Sequence, residues 1–439
     1  MISPSIAILG AGPAGCYAAD QLVRKVPDAR IDVFDRLPTP FGLVRGGVAP
    51  DHQGTKSIVR QFERTFQKPN VRFIGHVEIG RDLEFPNIQD AYDSVIVATG
   101  ALEDRVLGIP GEGLPGVVGS GRFVAWYNGI PDAPDLSPLL AARSVAVIGN
   151  GNVALDIVRL LGKSRADLEA TDMARDAVEA ISTSPLADIW LIGRRGPAEA
   201  SFTSPELAEL GELARVSISV HTSSLPESPP AGMDDAAARI ASRNLEILRG
   251  FGQSPAGRPV RLHLLFHAAP VCISGVGRVQ ELVLKRTGAQ GPNALTLEED
   301  LRVPADLVVS AVGYRGRPLS GLPFDEARGT VANRDGMVAP GVYATGWCRR
   351  GPRGVIPANR ADALGVADRV AADLAMMPRH GRPGPQTVDR LLQSRGVETV
   401  SFAGWKRIDA AEVARGTAAG RPREKIFHAA ELLAVANAT

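Results

Sequence analysis

The sequence predicts an α/β chain of two Rossmann-like, three-layer units, the second inserted into the first. Three observations carry this. Apolar runs of strand length alternate with helical patterns along the chain. A strand, glycine turn and helix follow one another twice, over 5–26 and 144–161. Two segments that end alike, SVIVATG at 94–100 and GVYATG at 341–346, stand on either side of the second unit. Equivalent strand endings so far apart suggest one domain interrupted by another. The expected division is 1–104, 105–325 and 326–439, with helices at the C-terminal end.

Residues 5–10 (SIAILG) form a strand ending in glycine, 13–26 a helix, and 31–35 (IDVFD) the next strand. Gly10, Gly12 and Gly15 spell G-x-G-x-x-G between strand and helix. The first permits the tight turn, the second lets backbone approach a pyrophosphate, and the third lets helix pack on strand. The helix start offers N–H groups and partial positive charge to phosphates. Asp35 closes the second strand, where a carboxylate reaches ribose hydroxyls. Asp35 alone does not separate FAD from NAD. A flavin domain split around a nicotinamide domain would return by a strand such as 341–346, and this favours FAD.

The second unit runs from strand 144–149 through helix 152–161 to strand 188–193. Gly149, Gly151 and Ala154 give G-x-G-x-x-A. No acid ends the following strand; Arg194 and Arg195 stand there instead. Two planar guanidinium groups suit a ribose 2′-phosphate, so NADPH is favoured over NADH.

Bulk properties bound the rest. A chain of 439 residues exceeds one ordinary core. A formal net charge of +1 gives no case for nucleic-acid binding. No apolar run reaches the roughly 18 residues of a membrane span. Cys16, Cys272 and Cys348 are far apart and form no CxxC, so neither a zinc knuckle nor a sequence-adjacent redox pair is expected. That points to a reducing compartment, the cytoplasm. A strand already at 5–9 leaves no expected signal peptide ahead of the fold. Stretches 223–235 and 378–385 read as a polar, Pro-rich loop and a break.

Further motifs extend across most of the chain: GAGPAGCYAA (10–19), PFGLVRGGVAPDH (40–52), FVAWYNGIP (123–131), VIGNGNVALD (147–156), GRRGP (193–197), SFTSPEL (201–207), SAVGY (310–314) and TGWCRRGPRGVI (345–356). Together they resemble the adrenodoxin-reductase-like family of ferredoxin–NADP reductases. The resemblance implies FAD, NADPH and a ferredoxin-type iron–sulfur partner. By position, Ala14, Asp35, Leu43 and Ile79 correspond to FAD contacts, and Trp347, Gly354, Val355 and Ile356 to residues along the isoalloxazine. Asn150, Gly151, Asn152 and Val153 correspond to pyrophosphate contacts of NADPH, and Arg194 and Arg195 to its 2′-phosphate site. Arg105, Glu206 and Gly354 match further NADP contacts, and His52 with Glu206 a pair near the nicotinamide. Asp35 replaces the family's more frequent Glu, Arg353 its frequent Thr, and Pro357 follows the GVI.

A helix over 357–374 would aim the N–H groups of Val355 and Ile356 at the flavin N1/C2 edge, its positive end favouring an anionic reduced ring. His52 is a candidate for positioning or proton exchange. Glu206 would order the nicotinamide or serve at a helix start. Direct hydride transfer needs no general base. Cys348 is single and reads as packing. Arg239 and Arg243 fall on an expected helix, 236–248, with Arg249 next after it, and Arg239 and Arg243 share a face that acidic ferredoxins could dock on. One copy of the chain suffices. The rival functions are a flavin monooxygenase or NADPH oxidase, and a non-catalytic flavin-binding sensor.

Overall fold

The computed structural model describes residues 3–221, 225–287, 300–376 and 382–438. The chain divides into two units. The first comprises Met1–Glu103, Asn128–Ala133 and Gly313–Thr439; the second comprises Asp104–Tyr127 and Pro134–Val312. The outward crossing lies beside the expected 104/105. The return comes earlier than the expected 325. Arg315 already lies 3.9 Å from Glu103, and the Gly316 N–H donates to the Gly329 carbonyl at 2.8 Å. This return uses two-residue strands, Tyr314–Arg315, Phe324–Asp325 and Thr330–Val331, too short to show a hydrophobic period. Stretches 223–235 and 378–385 lie partly outside the described residues.

The first unit holds a six-stranded sheet. Its order is Met337–Ala339, Val342–Ala344, Ser94–Val97, Ser5–Leu9, Arg30–Asp35, Val71–Gly75. All neighbours are parallel except the outermost Met337–Ala339. The two segments with like endings, 94–100 and 341–346, therefore pair directly, Val342 opposite Val95. Every residue of Ser5–Leu9 is buried, as befits a parallel strand covered on both faces. Alternation sends Ile6 and Ile8 to a core under the helices Pro13–Lys25 and Ala358–Met376, and Ala7 and Leu9 to one bordered by Phe85–Ala91 and Pro385–Ser394.

A buried ion pair ties the ends of this unit together. Arg45 meets Glu412 at 2.6 and 2.9 Å, and Glu412 also accepts from Arg423 at 2.8 Å and from the Ile426 N–H at 3.0 Å. Lys425 donates to the Asn128 carbonyl at 2.9 Å, and the Asp132 N–H to the Phe427 carbonyl at 3.0 Å. These bonds hold Asn128–Ala133 in the first unit, which the sequence pattern did not indicate.

The second unit's sheet runs Val117–Gly119, Leu307–Ser310, Ser144–Ile148, Asp188–Ile192, Val260–Leu265, Val216–His221, all parallel. Val145 and Val147 face helices, among them Asn152–Gly162. Ala146 and Ile148 face a three-stranded antiparallel sheet of Ala268–Ser274, Glu281–Arg286 and Leu301–Pro304. Here the third layer is a sheet. Among the described residues no helix is long and apolar enough to cross a membrane.

Candidate functional site

In the first unit the glycine turn is enclosed by three other segments. Gly10 has φ +114°, and a Cβ there would lie 2.4 Å from the Ala98 carbonyl oxygen. A Cβ on Gly15 would lie 1.9 Å from the Gly10 carbonyl oxygen, so helix and turn meet without a side chain. Gly42 approaches the Gly12 Cα, and Gly346 the Ala14 Cβ; an added Cβ would come within 2.9 and 2.5 Å respectively. The Phe41 N–H donates to the Ala11 carbonyl at 2.8 Å. Thus PFG (40–42) and TGW (345–347) pack on the turn that opens helix Pro13–Lys25. A Cβ on Gly12 would meet only the Gly42 Cα, at 3.9 Å, which leaves open space at the helix start. The first-turn N–H groups there have no intrahelical acceptor. This fits a pyrophosphate.

Asp35 is turned toward the turn itself. One carboxylate oxygen accepts from the Ala11 N–H at 2.8 Å and the other from the Leu37 N–H at 3.0 Å. Burial pushes this carboxyl above its usual range, against the two backbone donors. Its spare lone pairs remain for a ribose.

Around TGW, Asp362 gathers four donors. It accepts from Thr345 at 3.1 Å, from the Gly346 N–H at 2.5 Å, and pairs with Arg349 and Arg350. Trp347 stacks on Tyr314 at 6.4 Å, and its buried indole N–H has no hydrogen-bond partner among the described residues. A buried donor of this kind fits a ligand acceptor. Gly354 and Val355 are exposed, Ile356 packs on the core, and helix Ala358–Met376 begins one residue past Pro357. Leu43 opens the short helix Leu43–Gly46, and Ile79 borders the second face of the sheet. Cys348 is buried and donates to the Val97 and Thr345 carbonyls; burial pushes its thiol up. Cys16, Cys272 and Cys348 are all free.

The second turn is built alike but finished differently. Gly149 has φ +140°, its absent Cβ 2.3 Å from the Ala311 carbonyl oxygen. Gly151 is open, with only Ser201 Oγ 3.7 Å from an added Cβ. Ala154 is buried in the helix. Both ends of the Asn150 amide are buried without a hydrogen-bond partner among the described residues, which fits a dinucleotide that supplies donors and acceptors. Asn152 is committed instead: its amide accepts from the Thr203 N–H at 2.8 Å and lies 3.4 Å from Thr203 Oγ1. Only its backbone is left for phosphate. Val153 packs against the core. Arg194 and Arg195 are exposed, and neither has an ion-pair partner among the described residues.

Arg105 lies exposed just inside the second unit. His52 precedes the short helix Gln53–Lys56, half-buried. Glu206 stands in the first turn of helix Ser204–Glu209 and pairs with Arg159 at 3.1 Å rather than capping the helix. The basic helix is Asp235–Phe251, capped by Asp234. Arg239 is exposed; Arg243 pairs with Glu246 at 2.9 Å; Arg249 is tied to the carbonyls of Pro226 and Glu227. Arg249 is thus committed to a neighbouring loop and, as expected from its spacing, is no part of the face proposed for Arg239 and Arg243. Sequence reasoning missed Arg45, Glu412, Asp362 and Arg159. The motif PFGLVR ends in Arg45, and VALD (153–156) stops three residues before Arg159, but nothing local announced their partners.

The pyridine nucleotide-disulphide oxidoreductase family model matches residues 4–178. Human mitochondrial NADPH:adrenodoxin oxidoreductase is 37% identical over 451 residues, covering 98% of this chain and 91% of that protein. NADPH-ferredoxin reductase FprA of Mycobacterium tuberculosis is 39% identical, covering 98% of each. The solved structure of that FprA in complex with NADPH is similar over 100% of both chains, with a TM-score of 0.91 and 38% identity. On this identity and coverage the chain belongs to the family of the NADPH-ferredoxin and NADPH:adrenodoxin reductases.

Proposed function

We propose that the chain is an FAD-dependent reductase that oxidises NADPH and delivers single electrons to a ferredoxin-type iron–sulfur protein. The observation that carries this is the unlike finish of two like turns: a carboxylate at the first, and at the second two exposed guanidinium groups with no ion-pair partner among the described residues. When bound, FAD supplies the redox chemistry, accepting a hydride and releasing electrons one at a time.

The residues divide the remaining work. Gly10, Gly12, Ala14 and Gly15 would hold the FAD pyrophosphate at the start of helix Pro13–Lys25, with Asp35 at the ribose and Leu43 and Ile79 beside the cofactor. Trp347 would donate its unpartnered N–H, and the backbone of Gly354, Val355 and Ile356 would face the ring. The start of helix Ala358–Met376 favours negative charge there by about 0.3–2 kcal/mol. Asn150, Gly151, Asn152 and Val153 would bind the NADPH pyrophosphate, Arg194 and Arg195 its 2′-phosphate, and Arg105 a further part of it. Glu206 would order the nicotinamide, and His52 would serve in positioning or in proton exchange with the reduced flavin. Arg239 and Arg243 would face the acidic partner. One copy carries both cradles. Free thiols accord with a reducing compartment, the cytoplasm.

The test is direct. Purified protein should be yellow, bleach with NADPH without oxygen, and reduce a ferredoxin. Protein that binds no flavin, or that consumes oxygen with an organic substrate while leaving ferredoxin oxidised, would overturn the reading.

A further inference from the structure

Segment 201–209 is pinned along one line of the second unit. The Asn150 carbonyl accepts from the Ser201 N–H at 2.9 Å and from its hydroxyl at 3.0 Å. Asn152 holds Thr203. One turn and then another along helix Asn152–Gly162 come Asp156 and Arg159. The Arg159 side chain is only 2% exposed and meets Asp156 at 2.8 Å, Glu206 at 3.1 Å and Glu209 at 2.9 Å. A buried arginine among three carboxylates is costly to assemble and costly to break. It joins the helix that follows the glycine turn to the helix that carries Glu206.

We propose that Arg159 is a positioning residue. It clamps 201–209 against helix Asn152–Gly162, so that Ser201 borders the open side of Gly151 and Glu206 is held toward the dinucleotide. This rests on reading the second cradle as the NADP site. The clamp acts on the pyrophosphate and nicotinamide part of the ligand. The 2′-phosphate part belongs to Arg194 and Arg195, on the other side of the turn at the end of strand Asp188–Ile192.

The experiment is calorimetric titration of the FAD-loaded protein with NADP+ and, separately, with adenosine 2′-monophosphate. Arg159→Gln should weaken NADP+ about tenfold or more while leaving adenosine 2′-monophosphate within about twofold of wild type. Arg159→Lys, which keeps the charge, should recover most of the NADP+ affinity. Glu209→Gln, which removes one arm of the clamp, should show the same split in smaller measure. Unchanged NADP+ binding in Arg159→Gln would overturn the proposal. So would a parallel loss of both ligands across all three variants, which would mark a merely structural residue. Wild-type protein that binds neither ligand would defeat the reading of the cradle instead.

Discussion

The two glycine turns share a plan and differ in what closes them. At the first, Gly42 and Gly346 press on Gly12 and Ala14, and Asp35 is drawn in to bond the turn's own backbone. Phe41 holds a φ of +78°, kept there by packing against Phe62, Phe66 and Trp405. At the second, the approach of Gly149 to Ala311 recurs, and the Ser201 N–H donates to the Asn150 carbonyl as the Phe41 N–H does to that of Ala11, but no glycine pair presses on the turn. Ala154 replaces the third glycine, the Asn150 amide has no hydrogen-bond partner among the described residues, and Arg194 and Arg195 are exposed. The first is suited to keep a ligand as part of the fold. The second is suited to take one up and let it go.

That contrast can be broken most severely at Arg45. Arg45→Met leaves Glu412 buried without its main partner and should destabilise the first unit by about 3–5 kcal/mol. FAD release on heating, followed by flavin fluorescence, should move to lower temperature, while NADP+ binding by the second unit survives. Burial raises the Glu412 carboxyl, but Arg45 and Arg423 outweigh it, and the net position lies below the ordinary value. A depressed folded value means stability that is present above the unfolded pKa and lost as pH falls through the folded one. Glu412 should therefore cost the first unit stability as pH falls through that lowered value.

Next in size is the open cradle. Arg194→Ala with Arg195→Ala should raise the KM for NADPH about 100-fold and barely change NADH use; equal losses would remove the 2′-phosphate assignment. Smaller is the exchange of the third turn residue. Gly15→Ala should cost about 1–3 kcal/mol and loosen FAD, because its Cβ meets the Gly10 carbonyl. Ala154→Gly should cost only about 1 kcal/mol. Urea unfolding of both variants measures this, and equal costs would erase the claimed difference between the turns. The smallest effect is expected at Arg239→Glu with Arg243→Glu. The KM for a ferredoxin should rise about tenfold at low salt and less at high salt, with ferricyanide reduction unchanged.

What could be read in the sequence is what local chemistry fixes. Gly10 and Gly149 declare their turns because a strand must reverse there at positive φ. Arg194 and Arg195 declare a site because no acid stands in their place. That the first unit resumes near 341 was legible from like strand endings; the direct pairing of 94–97 with 342–344 was not. Glu412 was not: it lies on helix Phe402–Ala418, whose sequence gives no sign that this acid faces inward, and its partner is 367 residues away. Arg159 and Asp156, three apart on a helix, look like any solvated pair until the segment that covers them is in place. The hold on Arg249 was hidden for the same reason, since the carbonyls it bonds belong to a neighbouring loop.

Strand Ser94–Val97 is flanked by Ser5–Leu9 on one side and by Val342–Ala344 on the other. A ribosome makes the first neighbour at once and the second only after the whole intervening unit. For most of synthesis the nascent sheet carries a bare edge, apolar and short of hydrogen bonds. The inner unit can complete itself while its host waits. Completion of the host sheet therefore waits on strand Val342–Ala344, made after the inner unit.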